Sequence, residues 1–371
     1  MADKTKIEWT DATWNIITGC TLVDEGCRHC YAARLAATRL QHHPSRKGLA
    51  RLNAQGEAKF TGEVRFNDQW LDQPLRWKTA RRIFVCAHGD LFHESVPDDW
   101  IDKVFAVMAL APQHTFQVLT KRPVRMRAYF EGLHSPARRF DILLAGRKAG
   151  ATLLDIKDLE LRISNFPLPN VWLGTSVSDQ VSADLRIPDL LATPAAVRFL
   201  SAEPLLGAVD LWRWMGVHHH PDNNLDDPLV REAIEVMIKA ARQKYREDTG
   251  RSGLNWVICG GESGPNARPM HPDWARSLRD QSQAAGVAFF FKQWGEWASG
   301  TQIEGMTGIS SAPPKDGHFA HPHRRRVHGG ALDGQCFQGL LDDHSMIRVG
   351  KAHAGRLLDG QEWSQMPGVV G

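Results

Sequence analysis

Three closely spaced cysteines are the residues of this 371-residue chain best suited to chemistry. Cys20, Cys27 and Cys30 have the spacing C-x6-C-x2-C, and Gly19 and Gly26 favour turns around them. Thiolates hold iron–sulfur clusters, and a 4Fe–4S cluster normally takes four. With three cysteines and no obvious fourth, we expect a cluster in which one iron is free to bind a small molecule.

A structural zinc site is the alternative interpretation of this loop, with His29, His42 or His43 as the fourth ligand. Such sites more often present two separated pairs of ligands, so the iron–sulfur interpretation is favoured. A disulfide framework is disfavoured, because the chain is long and begins without a secretory leader. Incidental core cysteines are disfavoured by the turn-forming glycines.

Composition indicates a soluble globular protein, with 42% hydrophobic and 23% charged residues. No apolar run approaches the roughly 20 residues that span a bilayer. The polar start, residues 1–6, lacks the apolar region of a signal peptide. We therefore expect no membrane association and a cytoplasmic protein, in a reducing compartment where clustered cysteines bind metal or do redox work. A net charge of +3 is too small to establish a nucleic-acid partner.

The elements that must position the cysteine loop are strands that alternate with helices. Helical patterns cover 31–41, 98–110, 184–191 and 272–285. Seven runs rich in β-branched and aromatic residues predict strands at 9–17, 82–87, 115–120, 171–177, 196–201, 255–259 and 287–291. Their nearly continuous apolar character predicts a parallel sheet covered by helices. We predict a partial or complete TIM-like β/α barrel of about seven strands, with a doubly wound open sheet as the alternative. Polar residues at the strand ends match the face where barrel active sites lie.

Several segments are predicted to decorate the barrel, which we place at 1–297. Insertions are expected near 45–80, which is basic and irregular, near 135–168, which has a helical pattern, and near 213–254. The last contains His218-His219-His220, for which a solvated loop is favoured over a metal site, and a predicted helix at 232–245. Residues 298–371 are expected to form a lid-like loop, rich in Gly, Pro and His, and a C-terminal extension.

Motifs along nearly the whole chain carry a family resemblance. They are Ile7-Glu8-Trp9-Thr10, the cysteine loop, Asp90-Leu91-Phe92-His93, Leu119-Thr120-Lys121-Arg122-Pro123, residues 198–205, Gly260-Gly261-Glu262-Ser263-Gly264, Lys292-Gln293-Trp294-Gly295 and residues 348–356. Together they resemble a phage-associated, three-cysteine-motif family that is similar to radical S-adenosylmethionine enzymes. More distantly the chain resembles the radical S-adenosylmethionine superfamily, whose fold is a partial or complete α/β barrel.

The resemblance implies cofactors and a reaction type. A 4Fe–4S cluster on Cys20, Cys27 and Cys30 would take an electron from an external donor and cleave S-adenosylmethionine to a 5′-deoxyadenosyl radical. The superfamily spacing is C-x3-C-x2-C, whereas the first gap here has six residues. A loop excursion between Cys20 and Cys27 would absorb the longer gap.

The resemblance also implies roles for residues at the strand ends. His29 would pack near adenine, and Gly89 and Asp90 stand where the superfamily has a Gly-Gly-Glu turn that holds the methionine amino group. Other implied contacts to cofactor or substrate are Ser176, Glu203, Gly260, Gly261, Glu262, Lys121, Arg122, Lys292 and Trp294. Structural alternatives remain open for these residues, including a helix cap for Asp90 and a salt bridge for Glu203.

For the substrate we favour a nucleic-acid base or nucleotide. The resemblance implies a phage context, and so a bacterial host cytosol. Arg81-Arg82, Arg138-Arg139 and Arg324-Arg325-Arg326 are basic segments able to contact phosphates, and tryptophans are able to stack on bases. Radical modification of a protein or peptide is the second candidate. A nucleic-acid-binding module with zinc or iron–sulfur but without catalysis is a third, from a different class.

Overall fold

The structure is a computed structural model that describes residues 5–150, 152–215, 253–299 and 346–368. Four predicted features lie outside the described residues: His218–His220, the helix at 232–245, Arg324–Arg326 and nearly all of the predicted lid.

Short strands and helices alternate along the described chain. The strands are β1 (Ala12–Trp14), β2 (Ile17–Thr18), β3 (Ala50–Leu52), β4 (Ala58–Phe60), β5 (Arg65–Phe66), β6 (Arg82–Val85), β7 (Thr115–Thr120), β8 (Val171–Val177), β9 (Val197–Ala202), β10 (Trp256–Gly260), β11 (Ala288–Gln293), β12 (Trp297–Ser299), β13 (Met346–Arg348), β14 (Leu357–Leu358) and β15 (Gln361–Glu362). The helices are α1 (Tyr31–Ala37), α2 (Gln73–Arg76), α3 (Asp98–Leu110), α4 (Pro123–Gly132), α5 (Pro136–Lys148), α6 (Leu153–Ser164), α7 (Gln180–Ala192), α8 (Pro272–Ala284) and α9 (Lys351–Ala354).

Seven of the strands form one sheet in the order β1-β6-β7-β8-β9-β10-β11. The pairs β1–β6, β6–β7, β7–β8 and β10–β11 are parallel. Each strand lies beside the previous strand of this sheet, which is the singly wound order of a β/α barrel. A doubly wound sheet would reverse its order at a switch point. The predicted α/β fold of partial-barrel type is therefore confirmed.

The strands of the main sheet were predictable from the sequence, because burial on both faces gives them continuous apolar runs. Every residue of β8, β9 and β10 is buried. The predicted strand at 9–17 divides in two, because β2 leaves the sheet and pairs antiparallel with β5, Ile17 opposite Phe66. The apolar residues of 9–17 predict a strand, but they do not show that β2 pairs with a strand outside the main sheet.

The helices differ from the predictions mainly at their ends. Helix α1 ends at Ala37, short of the predicted end at 41. Helix α3 covers the predicted range, with Pro97 as its N-cap residue and Asp98 and Asp99 in its first turn. The segment at 45–80 was expected to be irregular, but it contains the antiparallel hairpin β3–β4 as well as β5 and α2. Helices α5 and α6 occupy most of 135–168 and pack on α3.

The chain divides into two compact units, which are described separately. The first comprises Met1–Ser176, Asp184–Ser201 and Gly253–Asn255, and the second comprises Val177–Ala183, Ala202–Ser252 and Trp256–Gly371. In the first unit the ring of Trp9 lies 4.7 Å from that of Phe84. In the second the rings of Phe291 and Trp294 are 5.0 Å apart. None of the helices in the described ranges has the length and apolar character to cross a membrane.

Candidate functional site

The cysteine loop, residues 19–30, lies in the first unit and leads directly into α1. A 3₁₀ turn spans Glu25–Cys27, and the Cys30 amide donates to the Cys27 carbonyl at 3.2 Å. Cys30 is the N-cap residue of α1, and its side chain makes no capping hydrogen bond. Cys20, Cys27 and Cys30 are free thiols of intermediate exposure, and His29 is half-buried between the last two.

Both ends of the cysteine loop are tied to the turn that follows β6. The Gly19 amide donates to the His88 carbonyl at 3.1 Å, and Gly19 forms a parallel bridge with Gly89. The Tyr31 hydroxyl donates to the Ala87 carbonyl at 2.5 Å. A Cβ on Gly89 would lie 2.8 Å from the Ile17 carbonyl oxygen. Gly89 is therefore needed for the close approach of the two segments.

Asp24, within the six-residue gap, ties the middle of the loop to the ends of two further strands. Its Oδ1 lies 2.8 Å from Lys121 Nζ, just after β7, and its Oδ2 lies 2.5 Å from Arg186 Nη2. Arg186 Nη1 donates to the Ser176 carbonyl in β8 at 2.7 Å. Burial opposes ionisation of Asp24, but the two cations prevail and lower its pKa to about 2. The loop excursion is thus held by a charged three-residue cluster.

Arg122 connects the start of the loop to the residues after β6. The residue is 6% exposed. Its Nη1 lies 3.5 Å from Cys20 Sγ, and its Nη2 donates to Thr21 Oγ1 at 2.5 Å. Its Nε lies 2.8 Å from Glu94 Oε2. Burial disfavours its charge, but Asp90, Cys20 and Glu94 together raise the pKa of Arg122 above its usual value.

The Asp90 carboxylate is buried, and its acceptor sites are engaged by the protein. Its Oδ1 accepts from the Phe92 amide at 2.9 Å and from Thr120 Oγ1 at 2.7 Å. Its Oδ2 accepts from the Lys121 amide and from Arg122 Nη1, each at 3.1 Å. Asp90 therefore fixes the end of β7 and orients Arg122. To hold an amino group as well, it would have to exchange one of these donors.

Three thiols on one loop are the type of donor that holds an iron–sulfur cluster. Burial, then the Asp90 carboxylate, raises the pKa of Cys20 to about 12, and Cys30 and Cys27 add smaller contributions. The three sulfurs therefore lie within electrostatic reach of one another. Burial also raises the pKa of Cys30, so the Cys20 and Cys30 thiols stay protonated unless a cation compensates for their burial. In the part of the chain that the structure describes, no group of three or more His, Cys, Asp or Glu side chains has the arrangement of a metal site.

The second unit brings together a different set of the predicted residues. Lys292 Nζ lies 2.8 Å from Glu203 Oε1, and both side chains are largely buried. A Cβ on Gly260 would lie 2.6 Å from the same Glu203 oxygen. Glu203 directly follows β9, and Lys292 lies in β11. The salt bridge that the sequence left open for Glu203 is present.

The residues of the Gly-Gly-Glu motif pack within the second unit. Glu262 is 6% exposed, and its Oε1 lies 2.7 Å from Arg268 Nη2. A Cβ on Gly261 would lie 2.0 Å from the Trp294 carbonyl oxygen. The Trp294 indole is 2% exposed and donates to the Leu357 carbonyl at 2.8 Å. The close approach at Gly261 and the ion pair of Glu262 with Arg268 give this motif a structural role within the second unit.

Sequence reasoning missed Asp24 and Arg186. Asp24 is an acidic residue inside the unusually long first gap between the cysteines, and its position could have predicted a role in holding the loop. Arg186 had no signal, because it is 162 residues from its partner and lies in a helix with ordinary amphipathic character.

Comparisons with known proteins give one family and one solved structure. A family model described as "Protein of unknown function (DUF5131)" matches residues 4–367. No curated protein matches the chain. A solved variant of spore photoproduct lyase is 9% identical, with a TM-score of 0.30, and the match covers 91% of this chain and 67% of that one. With a TM-score of 0.30, this likeness does not indicate a shared activity.

Proposed function

The chain belongs to the DUF5131 family, and we propose that it is a radical S-adenosylmethionine-like 4Fe–4S enzyme acting on a nucleic-acid base or nucleotide. Cys20, Cys27 and Cys30 would hold the cluster. When bound, such a cluster supplies the electron for reductive cleavage of S-adenosylmethionine. One observation carries the proposal: three thiols on one loop are fastened to the residues that follow parallel strands β6 and β7.

The surrounding residues position the thiols and set the local charge. Arg122 is placed to donate a charge-assisted hydrogen bond to the Cys20 sulfur, which favours the thiolate. Burial raises the pKa of Cys30, and the backbone N–H groups of Ala33 and Ala32 and, to a smaller extent, the Lys121 charge oppose that rise. Asp90 keeps Arg122 in place. We assign His29 and the Gly89–Asp90 turn to the cofactor side of the loop, and Ser176 to the strand end that Arg186 binds.

The first test replaces each cysteine singly by Ala. Cys20→Ala, Cys27→Ala and Cys30→Ala are expected to lose most of the iron after anaerobic reconstitution. Cys86→Ala and Cys259→Ala are the matched controls, because both thiols are buried strand-end or strand residues that are not on the loop. Iron and sulfide are measured in all five. A full cluster in Cys20→Ala would refute the three-thiol assignment, and a colourless protein with stoichiometric zinc would favour the binding module.

The second test asks whether the reconstituted protein cleaves the nucleotide. Incubation with dithionite and S-adenosylmethionine is expected to give 5′-deoxyadenosine, detected by chromatography. Arg122→Met should impair assembly of the cluster, whereas Lys292→Met, in the other unit, should leave iron content unchanged. An intact 4Fe–4S protein that neither binds the nucleotide nor forms the product would show that the radical assignment is wrong.

A further inference from the structure

Positive charge is concentrated in the segment that follows the cysteine loop. Residues 31–65 contain seven Lys or Arg and two Glu, a net charge of +5, whereas the whole chain has a net charge of +3. The remaining residues are therefore slightly acidic overall. Within this segment α1 packs on both strands of the β3–β4 hairpin, so its cations are carried by one local substructure, which we call the basic segment.

In each basic pair that stood out in the sequence and that the structure describes, one arginine is neutralised by carboxylates. Arg82 Nη2 lies 2.8 Å from Asp11 Oδ1. Arg138 lies within 3.4 Å of carboxylate oxygens of three aspartates, Asp98, Asp102 and Asp141. These arginines stabilise the first unit and present little net charge to a ligand.

The outer cations of the basic segment, in contrast to Arg82 and Arg138, lack such partners. Arg34, Arg39, Lys47 and Arg51 are all exposed. None of these four side chains makes an ion pair with any residue that the structure describes, whereas Arg65 and Lys59 in the same segment do. Four unpaired cations on one small substructure produce a local positive potential that the net charge of the chain conceals.

Arg46 adds a buried positive charge to the same segment. It is 6% exposed, and its Nη2 lies 2.8 Å from His88 Nδ1 while its Nη1 donates to Ser45 Oγ at 2.5 Å. Among the described residues no carboxylate lies within ion-pair distance of it. A buried guanidinium that only neutral groups contact is costly, so a bound anion nearby would be stabilising.

The basic segment adjoins the cysteine loop. Tyr31, its first residue, follows Cys30, is 48% exposed and has its ring 6.0 Å from the His88 ring. His88 is also the residue that Arg46 contacts. A polyanion on the basic segment would therefore lie beside the proposed metal centre.

We propose that the basic segment binds the phosphate backbone of a single-stranded nucleic acid and so delivers a base to the cysteine loop. The delivery step rests on the proposed function, whereas the binding does not. Three of the four outer cations are arginines, whose planar fork matches phosphate oxygens. Phosphate contacts give binding that weakens with salt, with a slope of about 0.7 per contact on single strands.

The test compares two charge-matched variants by fluorescence anisotropy with a labelled oligothymidylate over a range of salt. The first carries Arg34→Gln, Arg39→Gln, Lys47→Gln and Arg51→Gln. The control carries Arg139→Gln, Arg147→Gln, Lys148→Gln and Lys157→Gln, which lie on helices α5 and α6. It loses the same number of positive charges as the first variant. The first variant should have its salt slope reduced by about 3 and its affinity reduced on the order of 100-fold at 0.15 M salt. The control should resemble the natural protein within about threefold.

Each other outcome is decisive. The inference is overturned if the natural protein does not bind the oligonucleotide, or if both variants weaken equally. It is also overturned if only vesicles containing phosphatidylserine distinguish the variants, which would make the partner a membrane surface. Iron content is measured on the same samples and should be equal in all three. Oligonucleotide binding without iron would refute the proposed enzyme but leave this inference standing.

Discussion

Replacing Asp24 by Asn should loosen the cysteine loop without disturbing the rest of the first unit. The substitution keeps the size of the side chain and removes the charge that Lys121 and Arg186 share. Those two cations are 15% and 9% exposed, so neither is easily rehydrated when its partner is lost. We therefore expect the main effect in residues 19–31.

The size of the effect follows from the pKa of Asp24, which the two cations lower from 3.8 to about 2. At about 1.4 kcal/mol for each pH unit this corresponds to about 2 kcal/mol at neutral pH. The Asp24 side chain is 21% exposed, so screening is modest. A loss of about 2 kcal/mol would make local opening of the loop roughly 30 times more frequent.

Hydrogen exchange of the apoprotein, followed by mass spectrometry on peptides covering residues 19–31, measures this opening. Glu25→Gln is the matched control, because Glu25 is a neighbouring acid that is 70% exposed in a surface pair with Arg28. A lowered pKa stabilises the folded state above the unfolded pKa. The difference between Asp24→Asn and the natural protein should therefore be complete at pH 7 and shrink as pH falls from about 4 to 2.

The result that would refute this reasoning is equal exchange in Asp24→Asn and Glu25→Gln. Equal exchange would mean that the Gly19 backbone hydrogen bond and the Tyr31 hydroxyl hydrogen bond hold the loop by themselves. Faster exchange throughout the first unit would also contradict it, because the cluster would then stabilise the whole unit.

Two further predictions concern packing and pH. Gly261→Ala should destabilise the second unit by about 3 kcal/mol in thermal unfolding, because the added Cβ would lie 2.0 Å from a carbonyl oxygen. Gly132→Ala is the control: a Cβ there meets nothing within 4 Å, so the substitution should be neutral or stabilising. Burial, with a smaller effect of Arg46, lowers the pKa of His88 to about 4. The unfolded chain therefore takes up a proton near pH 6.5, before the folded protein does. The free energy of unfolding should fall by about 2 kcal/mol from pH 6.5 to 4. In His88→Asn, urea unfolding across that range should show a smaller fall, and an unchanged fall would contradict the assignment.

The strands and the cysteine loop were predictable because their signals are local. A strand buried on both faces must be apolar along its length, and β8 to β10 show this directly. The turn glycines and the C-x6-C-x2-C spacing are likewise recognised from a short stretch of sequence. The order of the sheet followed from the repeated alternation of strand and helix, since short connections place successive strands side by side.

The sequence by itself thus determined the α/β class, the approximate positions of the seven strands of the main sheet and the presence of three cysteines on one loop. Only the tertiary structure decided which charges are compensated. Asp24 pairs with residues 97 and 162 positions away, and Arg82 with one 71 positions away, whereas Arg34, Arg39, Lys47 and Arg51 have no such pairs among the described residues. A charge in a sequence carries no record of its partner, because the Coulomb energy depends on distances and burial that exist only after the strands have assembled.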